Sequence, residues 1–169
     1  MRWFFLTICL IFLAGCVAYP TQRAYFKPLP QDGYYLVKSR SCGYHKTEFD
    51  GLATDQASFH LDVFPNEPDE QHLVVTIVLK PGNEAASSLT GLPILGQVRL
   101  VAGNTKQEYS ASSTALIQQY QQTQWYRVEF EVMPTTQFSI EIETQSAAPL
   151  QFDFRYAKES DFYYASINC

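Results

Sequence analysis

Residues 126–143 read YRVEFEVMPTTQFSIEIE. From Tyr126 to Met133 apolar and polar side chains alternate, with Val128, Phe130 and Val132 on one face, and from Thr136 to Glu143 the alternation resumes through Phe138, Ile140 and Ile142. A period of two marks a half-buried strand, because successive side chains point to opposite faces of a sheet. Two such strands joined through Pro134 predict a hairpin. Directly opposed residues share a face and both inward sets are even-numbered, so the turn must hold an odd number of residues unless a bulge intervenes.

The same pattern extends outward in both directions. Towards the carboxyl end, Leu150 to Tyr156 turns Leu150, Phe152, Phe154 and Tyr156 inward, and Phe162 to Ile167 reads as a last strand. Towards the amino end, Gln97 to Ala102 and Thr105 to Ala111 flank Gly103-Asn104, residues that tolerate positive φ and suit a tight hairpin. Leu73 to Leu79 is apolar on both faces, as a central, covered strand is. Ala57 to Phe64 places Phe59, Leu61 and Val63 on one face and Ser58, His60 and Asp62 on the other, before Pro65-Asn66-Glu67-Pro68 ends it, and Tyr34 to Arg40 is a first strand. Between Ser112 and Gln124 the strand pattern lapses: Leu116, Ile117 and Tyr120 sit at near-helical spacing in Gln-rich sequence, which fits one short helix or a long ordered loop. The prediction is an all-β domain over 31–169, a single antiparallel β-sandwich of Greek-key or jelly-roll type with about eight or nine strands.

The chain has 169 residues and a formal net charge of −5. A chain of this size buries roughly 68–70% of its unfolded surface, enough for one core without metals or many staples. An acidic chain with no Lys/Arg cluster lacks the counterion-release term that dominates nucleic-acid binding, so no nucleic-acid partner is expected.

The amino terminus carries a compartment signal. Arg2 precedes a largely apolar run from Trp3 to Leu13, which is too short to span a bilayer and ends on small residues, as a secretion signal does. Leu13-Ala14-Gly15-Cys16 resembles the bacterial lipobox. The resemblance implies a lipoprotein whose residues 1–15 are a signal peptide, cleaved ahead of a thioether-acylated Cys16 that bears fatty acids such as palmitate. Val17 and Ala18 follow the cysteine, and the absence of an aspartate there implies an outer-membrane anchor facing the periplasm, a membrane contact made through lipid. Residues 16–30, with Pro20, Pro28 and Pro30, then read as a lipidated tether. Once Cys9 leaves with the signal and Cys16 carries lipid, Cys42 and Cys169 remain, and in an oxidising periplasm they are expected to form a disulfide. A metal site built on Cys42-Gly43-Tyr44-His45 would have two of the four ligands that structural zinc uses.

Chemistry is hard to find in this sequence. Ser58, His60 and Asp62 share a strand face, but residues two apart lie about 6.6 Å apart along the strand, too far for a nucleophile and its base. His45, His60 and His72 are the only histidines and their strands do not converge on one ion, so no metal and no cofactor are expected. Glu129, Glu131, Glu141, Glu143 and Asp153, with Arg127 and Arg155 near them, fall on outward faces of strands read as neighbours. Their ordinary role is a solvated face with cross-strand ion pairs; the chemical alternatives are a cation site or paired glycosidase carboxylates. Tyr120, Trp125 and Tyr126, in or beside the Gln-rich segment, are the candidate binding residues, because core packing does not account for them.

No catalytic residue set emerges, and the chain is not expected to be an enzyme. The expected function is that of an outer-membrane-anchored, periplasmic module that binds an envelope protein or assembly through the segment from Ser112 to Tyr126. One alternative is a carbohydrate- or peptidoglycan-binding module. Another is an envelope hydrolase using the outward carboxylates.

Overall fold

The computed structural model describes residues 16–39, 49–68, 71–82, 95–144 and 147–166. The described residues contain no helix and form two antiparallel sheets. In chain order the strands are β1 (Cys16–Pro28), β2 (Tyr35–Val37), β3 (Gly51–Asp55), β4 (Phe59–Pro65), β5 (Leu73–Pro81), β6 (Leu95–Ala102), β7 (Glu108–Ser110), β8 (Ser113–Tyr120), β9 (Thr123–Phe130), β10 (Gln137–Thr144) and β11 (Ala147–Ser166). One sheet has the order β1-β11-β10-β6-β7 and the other β2-β3-β4-β5-β9-β8. Two compact units can be distinguished. The smaller contains 16–23 of β1 and 158–166 of β11, and the larger, Ala24–Ser39 with Glu48–Ala157, holds the buried hydrophobic cluster together with His60 and β8.

The alternation works as the sequence implies. Phe59, Leu61 and Val63 of β4, Val128 and Phe130 of β9, Phe138, Ile140 and Ile142 of β10, and Leu150, Phe152 and Phe154 of β11 are buried in one cluster contributed by both sheets. Aromatic rings knit it together: Phe138 stacks on Phe154 at 5.8 Å, and Tyr34 meets Phe152 edge-on at 5.1 Å. Val132 is half-buried, and Tyr156 is an exposed exception to the inward set. β5 is central in its sheet, between β4 and β9; on its second face Val78 is buried while Val74 and Thr76 are half-buried.

Five expectations are corrected. The described residues form eleven strands rather than eight or nine. β9 and β10 do not form a hairpin: β9 pairs with β5 and β8, β10 with β6 and β11, and the stretch through the buried Pro134 crosses between sheets. Parity could not separate these arrangements, since two inward sets can meet from opposing sheets as well as side by side. Ser112 to Gln124 is neither helix nor loop but β8 and its turn onto β9, with Gln121 taking a φ of 52° at the reversal. A register shift between Leu116 and Gln118 breaks the alternation there, which hides the strand from a period-two reading.

The stretch 16–30, read as a tether, is strand through Pro28, and Tyr25 and Phe26 are buried, Phe26 packing edge-on against Phe138 at 5.0 Å. The two strands expected near the carboxyl end are one, β11. At Gly103 the hairpin between β6 and β7 is confirmed in a wider form, with the positive φ on Lys106 (55°). Gly103 serves a close approach instead: a Cβ there would lie 2.7 Å from the Gln137 carbonyl oxygen.

Candidate functional site

The outer face of the six-stranded sheet follows from the register. Leu61, Ile77 and Val128 face the core, so the residues between them face outward. Pairing aligns Tyr35 with Ala53, Ala53 with Asp62, Asp62 with Val78, Val78 with Trp125, and Trp125 with Gln118, one row across all six strands. The adjacent row aligns Asp55 with His60 and His60 with Lys80. Residues from separate parts of the chain thus meet on one face.

His60 is the hub. Its ring Nδ1 lies 2.7 Å from Asp55 Oδ1 and 2.8 Å from Tyr35 Oη, and its Nε2 lies 2.5 Å from Asp62 Oδ1. Lys80 Nζ donates to the other Asp62 oxygen over 2.6 Å. The side chains of His60 and Asp62 are 17% and 8% exposed, while that of Asp55 is 72% exposed and faces solvent. Beside the cluster opens a pocket of about 540 Å³ walled by Asp55, Gln56, His60, Lys80 and Gly82. Gly82 is set against the turn into β4: its N–H donates to the Ser58 carbonyl, and a Cβ would meet the Phe59 nitrogen at 2.7 Å.

Tyr35, His60 and Asp62 stand in the order of nucleophile, base and orienting carboxylate. The phenol, however, resists ionisation. Burial of its hydroxyl end and then the charges of Asp55 and Asp62 push it up to about 12. At neutral pH Tyr35 is therefore a hydrogen-bond donor, and the cluster offers donors and acceptors together rather than an activated nucleophile.

The three candidate aromatics divide. Trp125 and Tyr120 lie on the outer face, one diagonal apart across the β8–β9 ladder, whereas Tyr126 lies on the inner face, opposite Leu116 and packed against the core. Burial pushes the Tyr126 phenol up, and its hydroxyl donates to Gln124 Oε1 at 2.9 Å. Among the described residues β8 is the last strand of its sheet, and all eight of its residues are exposed, Leu116 at 48%, Ile117 at 56% and Tyr120 at 65%.

The outward carboxylates do not assemble: β10 and β11, which carry Glu141, Glu143 and Asp153, are neighbours as expected, whereas β9, which carries Glu129, lies in the other sheet. Glu129 lies in the six-stranded sheet and pairs with Arg127; Glu141 and Glu143 lie in the five-stranded sheet with Arg99. Asp153 accepts from Ser139 and from the side chains of Gln31 and Gln151. Glu131 and Arg155 are exposed. Among the described residues no three His, Cys, Asp or Glu side chains are placed to hold a metal ion. His72 is exposed ahead of β5, and no contact among the described residues links Ser58's side chain to the His60 cluster. Cys16 is the first residue of β1, while His45, Cys42 and Cys169 lie outside the described residues.

Pattern alone makes His60 an ordinary surface histidine and gives no prominence to Tyr35, Asp55 or Lys80. Their meeting depends on the β2–β3, β3–β4 and β4–β5 registers, and the one local signal is Asp62 two residues beyond His60: the backbone spacing of about 6.6 Å does not keep this pair apart, because the two side chains lean together to 2.5 Å. Comparison with known protein families, with curated proteins and with solved structures finds no match, so the functional reading rests on this geometry.

Proposed function

We propose that this chain is a lipid-anchored binding module without catalytic turnover, which takes up an extended segment of another envelope protein as a further strand beside β8. The observation that carries the reading is the state of β8, a terminal strand exposed at every residue. An edge strand presents a row of backbone donors and acceptors that another strand can pair. Exposed edges are commonly blunted with charge or proline, yet from Ala111 to Tyr126 there is no charged residue and no proline. An uncharged, partly apolar edge fits a neutral partner strand whose side chains cover Leu116 on one face and Tyr120 on the other.

The sequence supports the location. Leu13-Ala14-Gly15-Cys16 places the acyl group on Cys16, and we read the chain as an outer-membrane lipoprotein facing the periplasm, held by the several acyl chains that stable anchoring requires. With β1 starting at Cys16, the lipid joins the first residue of a strand rather than a free tether. A Cys42–Cys169 disulfide belongs to the same reading, as does a sandwich of Greek-key type, since β10 leaves β9 and returns beside β6 in the other sheet.

The test uses a photo-crosslinking residue at Gln119 in intact envelopes, with adducts identified by mass. An adduct to one envelope protein, lost in Ile117→Lys, together with slowed amide exchange along β8 in the complex, is the expected result. Adducts only to a second copy of this chain, or adducts that persist in Ile117→Lys, would overturn the proposal.

A further inference from the structure

We infer that the pocket beside His60 is a second binding site, for a neutral, hydroxyl-rich glycan held beside the ring of Tyr35. The chemistry of the walls selects this class. Asp55 supplies a carboxylate acceptor and Lys80 supplies N–H donors to the same pocket, with Asp62 behind them as the partner of Lys80. A phosphate-bearing ligand would face the exposed Asp55 carboxylate, and a metal cation would have to displace Lys80 from Asp62. A sugar hydroxyl both donates and accepts. It can therefore accept from Lys80 while donating to Asp55, a combination that neither ion type can use.

Aromatic surface flanks the polar groups on the same face. Tyr35 is exposed beside them, with its hydroxyl in the cluster. Trp125 stands four strand spacings away, about 19 Å, beyond the buried Ala53, Asp62 and Val78, so the site is matched to the sugar rings nearest Tyr35. The aliphatic C–H faces of sugar rings suit aromatic surfaces that are apolar in the middle and polar at the rim. This site does not depend on strand addition at β8.

The experiment is calorimetric titration of the full chain, in a zwitterionic detergent free of sugar headgroups, with chitohexaose, cellohexaose and maltohexaose, and with inositol hexakisphosphate as the anionic comparison. At least one neutral hexasaccharide is expected to bind, with affinity reduced at least about tenfold in Asp55→Asn and His60→Ala, the scale of losing a hydrogen bond to a charged group. Ile117→Lys should bind the saccharide as the unaltered chain does. If His60→Ala does not fold, Asp55→Asn decides, because that side chain stands largely in solvent. Binding of no neutral saccharide, undiminished binding in Asp55→Asn, or binding of inositol hexakisphosphate alone would each overturn the inference. A Gln119 crosslink that survives in Asp55→Asn separates this outcome from failure of strand addition.

Discussion

At the scale of single residues, Tyr35 shows how a strand register acts on a proton. Pairing of β2 with β3, and of β3 with β4, brings its hydroxyl to His60 and to the carboxylates of Asp55 and Asp62. The unfolded phenol titrates near 10, and the fold pushes it up to about 12. Between those values the folded chain keeps a proton that the unfolded chain releases. The linked stability is therefore intact below about pH 10 and is lost as the pH rises towards about 12. Urea midpoints measured across that interval should fall less steeply in Tyr35→Phe than in the unaltered chain, with a residual slope from Tyr34 and Tyr126, whose phenols are also pushed up. Equal slopes would show that Tyr35 titrates alike in both states. Gly103 tests backbone proximity instead. Its missing Cβ leaves room for the Gln137 carbonyl oxygen, so Gly103→Ala forces β6 away from β10 and should cost about 1–3 kcal/mol in chemical denaturation.

At the scale of elements, the β8–β9 hairpin separates what sequence shows from what it hides. Strands with one buried face are legible, because burial writes alternation into the sequence: the inward residues of β4, β9, β10 and β11 follow from period two alone. β8 has no buried face, and its register shift moves later residues to the other side, so nothing in Ser113 to Tyr120 repeats with period two. Sheet membership is equally invisible, because it depends on which strand returns beside which. For the same reason the His60 cluster escapes a reading of pattern, whereas Tyr120 and Trp125 stand out simply as aromatics in polar surroundings. The division of the aromatics is measurable. Tyr120→Ala removes an exposed outer-face ring and should leave thermal stability within about 0.5 kcal/mol, while Tyr126→Ala removes a half-buried ring from the edge of the core and should cost about 1–2 kcal/mol. Equal losses would place both rings on one face.

At the scale of the whole molecule, β1 joins the fold to its own far end: the five-stranded sheet sets the first strand beside the last, so this pairing closes only when nearly the entire chain is in place. Such distant contacts are the slow ones to form, since the entropy of closing the loop is lost before contact is made. The consequence for an anchored protein is direct. If residues 16–30 were a tether, substitutions there would alter reach and leave stability alone. As strand, the stretch carries Tyr25 and Phe26 into burial. Phe26 is 1% exposed and packs against Phe138 and, at 6.2 Å, Tyr156, so Phe26→Ala removes a buried aromatic and should cost about 3–5 kcal/mol. Domains of this size are stable by roughly 5–15 kcal/mol, which makes that one residue a large share of the total. Denaturation of Phe26→Ala beside Gln22→Ala, a change at an exposed position in the same strand, measures the difference. A stability loss confined to Phe26→Ala is the expected result, and two variants as stable as the unaltered chain would return this stretch to the role of a free linker.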